Sequence, residues 1–179
     1  MRIKIFILLC LTAIMQFTGV TPLKASHYYY KQLSLKDGLT SAVRCILTDK
    51  QGFVWIGTKA GISRYDGHEL KKYVHSQNNP HSIPNNLIHQ IAEDEMSNIW
   101  ILTDKGIARY QRQSDDFFLP TDEKGNPIIA YSTCLTKDGV LFGSKDKVYF
   151  YSYRDSSLRL LQKLNKGSNF NISLNSATL

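Results

Sequence analysis

Short apolar runs alternate with turn-forming residues along most of the chain. The segments 43–48 and 87–92 are rich in aliphatic side chains, and each leads through an acidic residue into a turn around Gly52 or Asn98. Runs of this length, bounded by Gly, Asn and Asp, are typical of β-strands. The same criteria predict a second strand at 53–57 and 99–103, a third at 62–65 and 107–110, and a weaker fourth at 69–74, 117–119 and 158–161.

These strands belong to an internal repeat. Three residues of one unit recur 45 positions later, namely Asp49, Trp55 and Tyr65 as Asp94, Trp100 and Tyr110. A third and more divergent copy over 135–151 keeps the turn but has Leu141 where the others have Trp. Four short strands at a period of about 40–45 residues are typical of a β-propeller blade.

The recurring residue types suit the packing of one blade on the next. Stacked blades need a large flat side chain in the middle of a strand, which Trp55 and Trp100 supply, so we interpret both as core residues rather than as a platform for sugars. Gly57 and Gly61 allow close backbone approach and a positive φ at the turn between the second and third strands.

The sequence therefore predicts an all-β fold, a partial β-propeller of about three four-stranded blades after a signal peptide. The predicted domains are a signal peptide at 1–25, an incomplete propeller at 26–164 with blades at about 39–75, 84–120 and 128–162, and an irregular tail or the start of a missing blade at 165–179. Closed propellers have typically four to eight blades, so we expect a truncated portion of a longer protein.

The first residues have the order of a secretory signal peptide. A short cationic start with Arg2 and Lys4 precedes an apolar run over 5–14, and small residues end at Ala25, the predicted cleavage site. An uncleaved membrane anchor is the alternative, but the apolar run is short for a span of about 20 residues. We expect the mature chain to be periplasmic or secreted.

Charge and cysteine content change this interpretation little. The formal net charge is +7, and about +4 would remain after cleavage, scattered among acidic residues rather than clustered as nucleic-acid binding requires. We therefore expect no nucleic-acid partner.

Cys45 and Cys134 lie in strands of non-adjacent blades, too far apart to bridge. We interpret them as small buried apolar side chains.

No pattern for catalysis, cofactor binding or metal binding stands out. The five histidines are spread through loops and strand starts, without a neighbouring Cys or carboxylate at a ligand spacing. The acidic pairs at 115–116 and 122–123 lie beside turn residues, so we expect solvated loops rather than paired catalytic acids. Propeller ligands usually meet the inner-strand ends at one mouth of the channel, where the polar candidates are Arg44, Asn85, Asn86 and His89.

The segments 52–67 and 99–107 resemble the two-component regulator propeller repeat. The lead-in at 35–40 and the spacer at 82–88 resemble the opening of that family's sensors, and the likeness covers roughly residues 30–160. Such repeats build the periplasmic sensor half of Bacteroides-type hybrid histidine kinases, which sense oligosaccharides and also carry a membrane helix, kinase and receiver domains. The resemblance thus implies an N-terminal periplasmic sensor portion without kinase modules.

Three functions are compatible with the sequence. The first is a ligand-sensing propeller segment of a hybrid two-component regulator, with an oligosaccharide as ligand, the remaining blades and kinase modules of a parent protein as partners, and a membrane only through that parent. The second is a fragment of a secreted propeller enzyme, a lyase or glycosidase. The third is a non-catalytic protein-interaction propeller. We expect the chain itself not to be an enzyme, since kinase activity would belong to an intact parent.

Overall fold

The described part of the chain consists of β-strands joined by short turns. The structure is a computed structural model that describes residues 32–34, 39 and 41–163. The predicted signal peptide at 1–25 and the predicted tail at 165–179 lie outside the described residues. Leu33 and the described residues after it belong to one unit of the chain.

The described residues form twelve strands in three antiparallel sheets, each of four strands. Sheet 1 contains β1 (Val43–Thr48), β2 (Val54–Thr58), β3 (Gly61–Tyr65) and β4 (Leu70–Tyr73). Sheet 2 contains β5 (Ile88–Glu93), β6 (Ile99–Thr103), β7 (Gly106–Gln111) and β8 (Asp116–Phe118). Sheet 3 contains β9 (Ser132–Leu135), β10 (Gly139–Gly143), β11 (Lys147–Ser152) and β12 (Leu158–Lys163). Consecutive strands are hydrogen-bonded neighbours in every sheet, as in propeller blades. This confirms the predicted fold class.

The turn between the first two strands explains why Asp and Trp recur together. Asp49 Oδ1 accepts hydrogen bonds from the backbone amides of Gln51 at 3.0 Å and Phe53 at 2.9 Å. Its Oδ2 accepts a bond of 2.9 Å from Nε1 of Trp55. One buried carboxylate therefore shapes the turn and also satisfies the indole N–H that enters the core.

Sheet 3 builds the corresponding turn differently. Thr136 stands where the aspartates stand, and its hydroxyl donates to the carbonyl oxygen of Gly139 at 2.8 Å. Leu141 pairs with Phe150 and Cys134, the register that Trp55 has with Arg64 and Leu47 in sheet 1. The leucine side chain has no N–H that needs an acceptor. The turn between β9 and β10 therefore does not require a carboxylate.

The two tryptophans form the centres of two successive cores. Trp55 of sheet 1 packs edge-on against Tyr110 of sheet 2, with ring centroids 4.8 Å apart, and Trp100 packs in the same way against Tyr151 of sheet 3, also at 4.8 Å. Both indoles are fully buried. Each tryptophan thus fills the space between its own sheet and the next, as predicted for blade core residues.

Gly57 lies where β2 meets the next sheet. A Cβ atom built on it would lie 2.5 Å from Sγ of Cys45 and 2.7 Å from Cγ2 of Ile88, so no larger residue fits without movement. Gly61 has a φ of +115°, and its Cβ would lie 2.5 Å from the carbonyl oxygen of Tyr73. The structure therefore agrees with the roles predicted for both glycines.

Cys45 and Cys134 are free thiols. Both are only partly buried, which corrects the expectation of buried apolar side chains. Cys45 packs at the margin of the core between sheets 1 and 2. Burial raises the pKa of its thiol, although a hydrogen bond from the Gly57 backbone acts in the opposite direction.

A network of polar side chains joins sheets 1 and 2 at their outer strands. Arg64 of β3 and Tyr110 of β7 are hydrogen-bonded, and both contact the carboxylate of Asp115. Tyr73 donates to the same carboxylate at 2.6 Å, and Lys71 forms an ion pair with it. Asp115 lies in the β7–β8 turn and is partly exposed, as expected, but its carboxylate also bonds to sheet 1. The expectation of a loop is wrong for Asp116, which begins β8.

Candidate functional site

β1, β5 and β9 are the first strands of their sheets and occupy equivalent positions in the repeat. β1 lies beside β5, as expected for the innermost strands of neighbouring blades. The pairing of β1 with β2 shifts register between Val43 and Cys45, and that of β5 with β6 shifts between Ile88 and Gln90. Such β-bulges reorient a side chain, and here the bulged residues are Arg44 and His89.

Tyr131 occupies the equivalent position before β9. Its backbone amide donates to the carbonyl oxygen of Gly143 at 2.9 Å, directly before the pair of Ser132 with Gly143. The ring of Tyr131 meets that of His89 edge-on at a centroid distance of 6.0 Å. We call Arg44, His89 and Tyr131 the inner-strand row, since one member comes from the start of each sheet.

The three members differ in how they are held. Nε of Arg44 donates to the carbonyl oxygen of Ile88 at 3.0 Å, which ties β1 to β5. Nε2 of His89 lies 3.3 Å from a carboxylate oxygen of Asp104, in the β6–β7 turn. Tyr131 is 52% exposed, and its hydroxyl has no hydrogen-bond partner among the described residues. The row therefore offers positioned polar groups next to an open aromatic face.

Asn85 and Asn86, the other two ligand candidates predicted from the sequence, have a structural role. Oδ1 of Asn85 accepts from the backbone amide of Leu87 at 2.9 Å, and Oδ1 of Asn86 accepts from that of His75 at 2.7 Å. The Asn86 carbonyl oxygen accepts from the amide of Gly61 at 2.9 Å. Both asparagines thus shape the connection between β4 and β5 and support the start of the inner strand.

The row suits a polar, hydroxyl-rich ligand. A guanidinium group donates, a histidine–carboxylate pair can donate and accept, and a phenol contributes both an apolar ring face and a hydroxyl. Within residues 41–163, no group of three or more His, Cys, Asp or Glu side chains is placed to hold a metal ion. Nor does this part of the chain contain a helix long and apolar enough to cross a membrane.

Tyr131 is the member that sequence reasoning missed. The signal lies in the repeat, because Tyr131 stands 42 residues after His89, which itself stands 45 after Arg44. The third copy is shorter and lacks the Asp and Trp that align the other two, so the correspondence becomes clear only from the strand register.

Known proteins agree with this architecture. Residues 37–60 match the family model described as two component regulator propeller. A stretch of 56 residues is 41% identical to Histidine kinase P4 of Formosa agariphila, which corresponds to 31% of this chain and 4% of that protein.

Solved structures give the same result at the level of the fold. The extracellular domain of the hybrid two component system BT3049 from B. thetaiotaomicron has a TM-score of 0.59 at 21% identity, over 72% of this chain and 19% of that one. The extracellular domain of BT4673 from the same organism has a TM-score of 0.53 at 25% identity, over 78% of this chain and 17% of that one. The chain thus spans less than a fifth of each relative.

The similar structures are extracellular, and the matched repeat covers β1 and β2 of sheet 1. The resemblance drawn from the sequence is thereby confirmed: residues 37–60 match the two-component regulator propeller repeat, and the described sheets are folded as blades of a β-propeller.

Proposed function

We propose that the chain is the extracytoplasmic ligand-sensing segment of a hybrid two-component regulator, and that it contributes the inner-strand row to an oligosaccharide site. The observation that carries the proposal is the row itself. Three blades each place a different polar or aromatic residue at the same inner-strand position, where a core role would favour the same apolar residue. Divergence at these equivalent positions argues against a shared packing role and leaves the three side chains available to a ligand.

The chemistry of the row favours a sugar over a hydrophobic or highly charged ligand. The exposed ring of Tyr131 offers an apolar face for the C–H side of a pyranose, and its hydroxyl and Arg44 can bond to sugar hydroxyls. The carboxylate of Asp104 beside His89 offsets the charge of Arg44, so the row has little net charge.

In this role the chain has no catalytic task of its own. Ligand binding would be transmitted through further blades to kinase modules of the parent protein, as the likeness to a histidine kinase and to extracellular domains of two component systems suggests. The predicted signal peptide would bring the segment to the periplasm or outside the cell, with cleavage near Ala25.

Calorimetric titration of the full chain with a panel of neutral oligosaccharides tests the proposal. We expect at least one to bind, and Tyr131→Ala to weaken that binding about tenfold, equivalent to about 1.4 kcal/mol. Phe118→Ala is the matched control, since Phe118 is an aromatic residue of similar exposure, 42%, on the outer strand β8.

Three results would contradict the proposal. The first is the absence of binding to every oligosaccharide, together with capture of a protein partner, which would favour an interaction propeller. The second is cleavage of an oligosaccharide during the titration, which would favour an enzyme. The third is binding that Phe118→Ala and Tyr131→Ala weaken equally, which would place the sugar away from the inner-strand row.

A further inference from the structure

A cavity lies at the last two strands of sheet 3, and none of its lining residues belongs to β1, β5 or β9. It has a volume of about 280 Å³ and is bounded by β11, β12 and the connection between β8 and β9. Leu158, Leu160 and Tyr149 form an apolar floor, and Lys124, Lys147 and Lys163 lie around it. We call it the lysine cleft. Its volume is near the lower end of the range of ligand sites, about 300–1,000 Å³, so it suits one sugar unit rather than a long chain.

Two of these lysines stand directly opposite each other. Lys147 of β11 and Lys163 of β12 are cross-strand partners, and like charges in this relationship destabilise a sheet. Among the described residues, neither ammonium group forms an ion pair. The repeat does not require this arrangement, because Gly61 and Gly106 occupy the position of Lys147 in sheets 1 and 2. Among the three sheets, the lysine pair is therefore specific to sheet 3.

Two carboxylates on the facing wall limit the charge of a ligand. Asp122 is largely occupied by its own turn, since Oδ1 accepts from the amides of Lys124 at 2.9 Å and Asn126 at 2.8 Å. The bond from the Asn126 amide lowers the pKa of Asp122, and the charge of Lys147 lowers it further. With Glu123 beside it, the cleft holds three lysines and two carboxylates. A ligand with one negative charge would balance the excess positive charge of the cleft, whereas the two carboxylates would repel a polyanion.

We infer that the lysine cleft binds the acidic unit of a uronic-acid saccharide, with its carboxylate between Lys147 and Lys163 and its apolar face on Leu158 and Leu160. The carboxylate would neutralise the opposed ammonium groups, and the leucines would cover the C–H face of the ring. This site is separate from the inner-strand row and does not depend on the function proposed for that row.

Calorimetry of the full chain with D-galacturonic acid, a single sugar unit with one carboxylate, tests the inference, with its methyl ester as the uncharged comparison. We expect the acid to bind and the ester not to bind. The affinity for the acid should fall about tenfold in the double variant Lys147→Gln/Lys163→Gln and should decrease as salt is added. Lys72→Gln, at an exposed lysine of β4, and Tyr131→Ala should bind the acid as the unmodified chain does.

The inference is overturned if galacturonic acid does not bind, if the ester binds equally well, or if the double variant retains full affinity. Loss of acid binding in Tyr131→Ala alone would also overturn it, because the sugar would then lie in the inner-strand row. Thermal unfolding gives a second measurement: at the same concentration, the acid should raise the midpoint of the unmodified chain more than that of the double variant. Because the glutamines remove a repulsion, the double variant should remain folded.

Discussion

Nε1 of Trp55 donates a hydrogen bond of 2.9 Å to Oδ2 of Asp49, and both side chains are fully buried. Trp100 and Asp94 repeat the pair at 2.8 Å. Arg112 of the second unit also reaches the Asp49 carboxylate, at 3.1 Å, so the pair has a charged neighbour from the next sheet. A turn, a core residue and an inter-sheet contact are thus joined through one carboxylate.

Removing that carboxylate should destabilise the fold. Asp49→Ala leaves the Trp55 N–H buried without an acceptor, and we expect the free energy of unfolding to fall by about 1–3 kcal/mol in urea titrations. Trp55→Phe in the same chain should make the Asp49→Ala step cost less, since the orphaned N–H is gone. Asp146→Ala, at an exposed aspartate of the β10–β11 turn, is the control. Equal effects of Asp49→Ala and Asp146→Ala would show that the pair is unimportant.

The close approach at Gly57 leads to a prediction about packing between sheets 1 and 2. Gly57→Ala places a methyl group against Cys45 and Ile88, and we expect a loss of about 1–3 kcal/mol from overpacking. Cys45→Ala removes one of the two contacts, so the double variant should be more stable than the sum of the single losses implies. Strict additivity of the two losses, measured by urea unfolding, would contradict this explanation.

Much of the fold could be predicted because the repeat encodes it locally. Trp55 and Trp100 indicated the core, and Gly61 indicated the turn before β3, since each has a physical requirement that only a few residue types meet. The replacement of Trp by Leu141 was also visible in the sequence. The effect of this replacement on the turn was not visible in the sequence. Thr136 substitutes for the aspartate through a hydrogen bond of its hydroxyl that depends on the shorter loop.

The candidate sites depend on features that no linear pattern shows. Tyr131 joins His89 only through the register of β9 with β10, and Lys147 faces Lys163 only because β12 shifts register beyond Val148. Asp115 lies in a turn, as expected, but its bonds to Arg64, Lys71 and Tyr73 of the neighbouring sheet could not be predicted from its position in the sequence. Cross-strand pairing and contacts between sheets are set by tertiary structure.

Asp115 should make stability depend on pH in the acid range. Partial burial raises the pKa of its carboxyl, but bonds from Lys71, Tyr110 and Tyr73 outweigh this and place it at about 2, below the ordinary 3.8. Because the pKa is lower in the folded state, the stabilisation is present above 3.8 and is lost as the pH falls towards about 2. Asp115→Asn should therefore be less stable at neutral pH and lose less stability across this window.

Urea midpoints at a series of pH values measure that difference. Asp116→Asn is the neighbouring control, since the Asp116 carboxylate bonds mainly within its own turn, to Gln111 at 2.8 Å. If Asp115→Asn and the unmodified chain lose stability equally on acidification, the network around Asp115 does not stabilise the folded state.

The opposed lysines of sheet 3 should be a weak point of the fold. Lys163→Glu turns a repulsive cross-strand pair into an attractive one, and we expect it to raise the free energy of unfolding by about 0.2–1 kcal/mol. Lys163→Gln should give a smaller gain. Thermal unfolding at low and high salt measures both, and the gain should shrink as salt screens the charges. A loss of stability in Lys163→Glu would mean that Lys163 has a structural partner.

NMR of the full chain with ¹³C-labelled histidine and tyrosine rings measures whether an oligosaccharide binds at the inner-strand row. During titration with the oligosaccharide selected by calorimetry, the ring signals of His89 and Tyr131 should shift together and saturate. The signals of His68, in the exposed β3–β4 turn, and of Tyr73, in the core, should stay in place. Saturable binding that leaves His89 and Tyr131 unchanged would contradict the account.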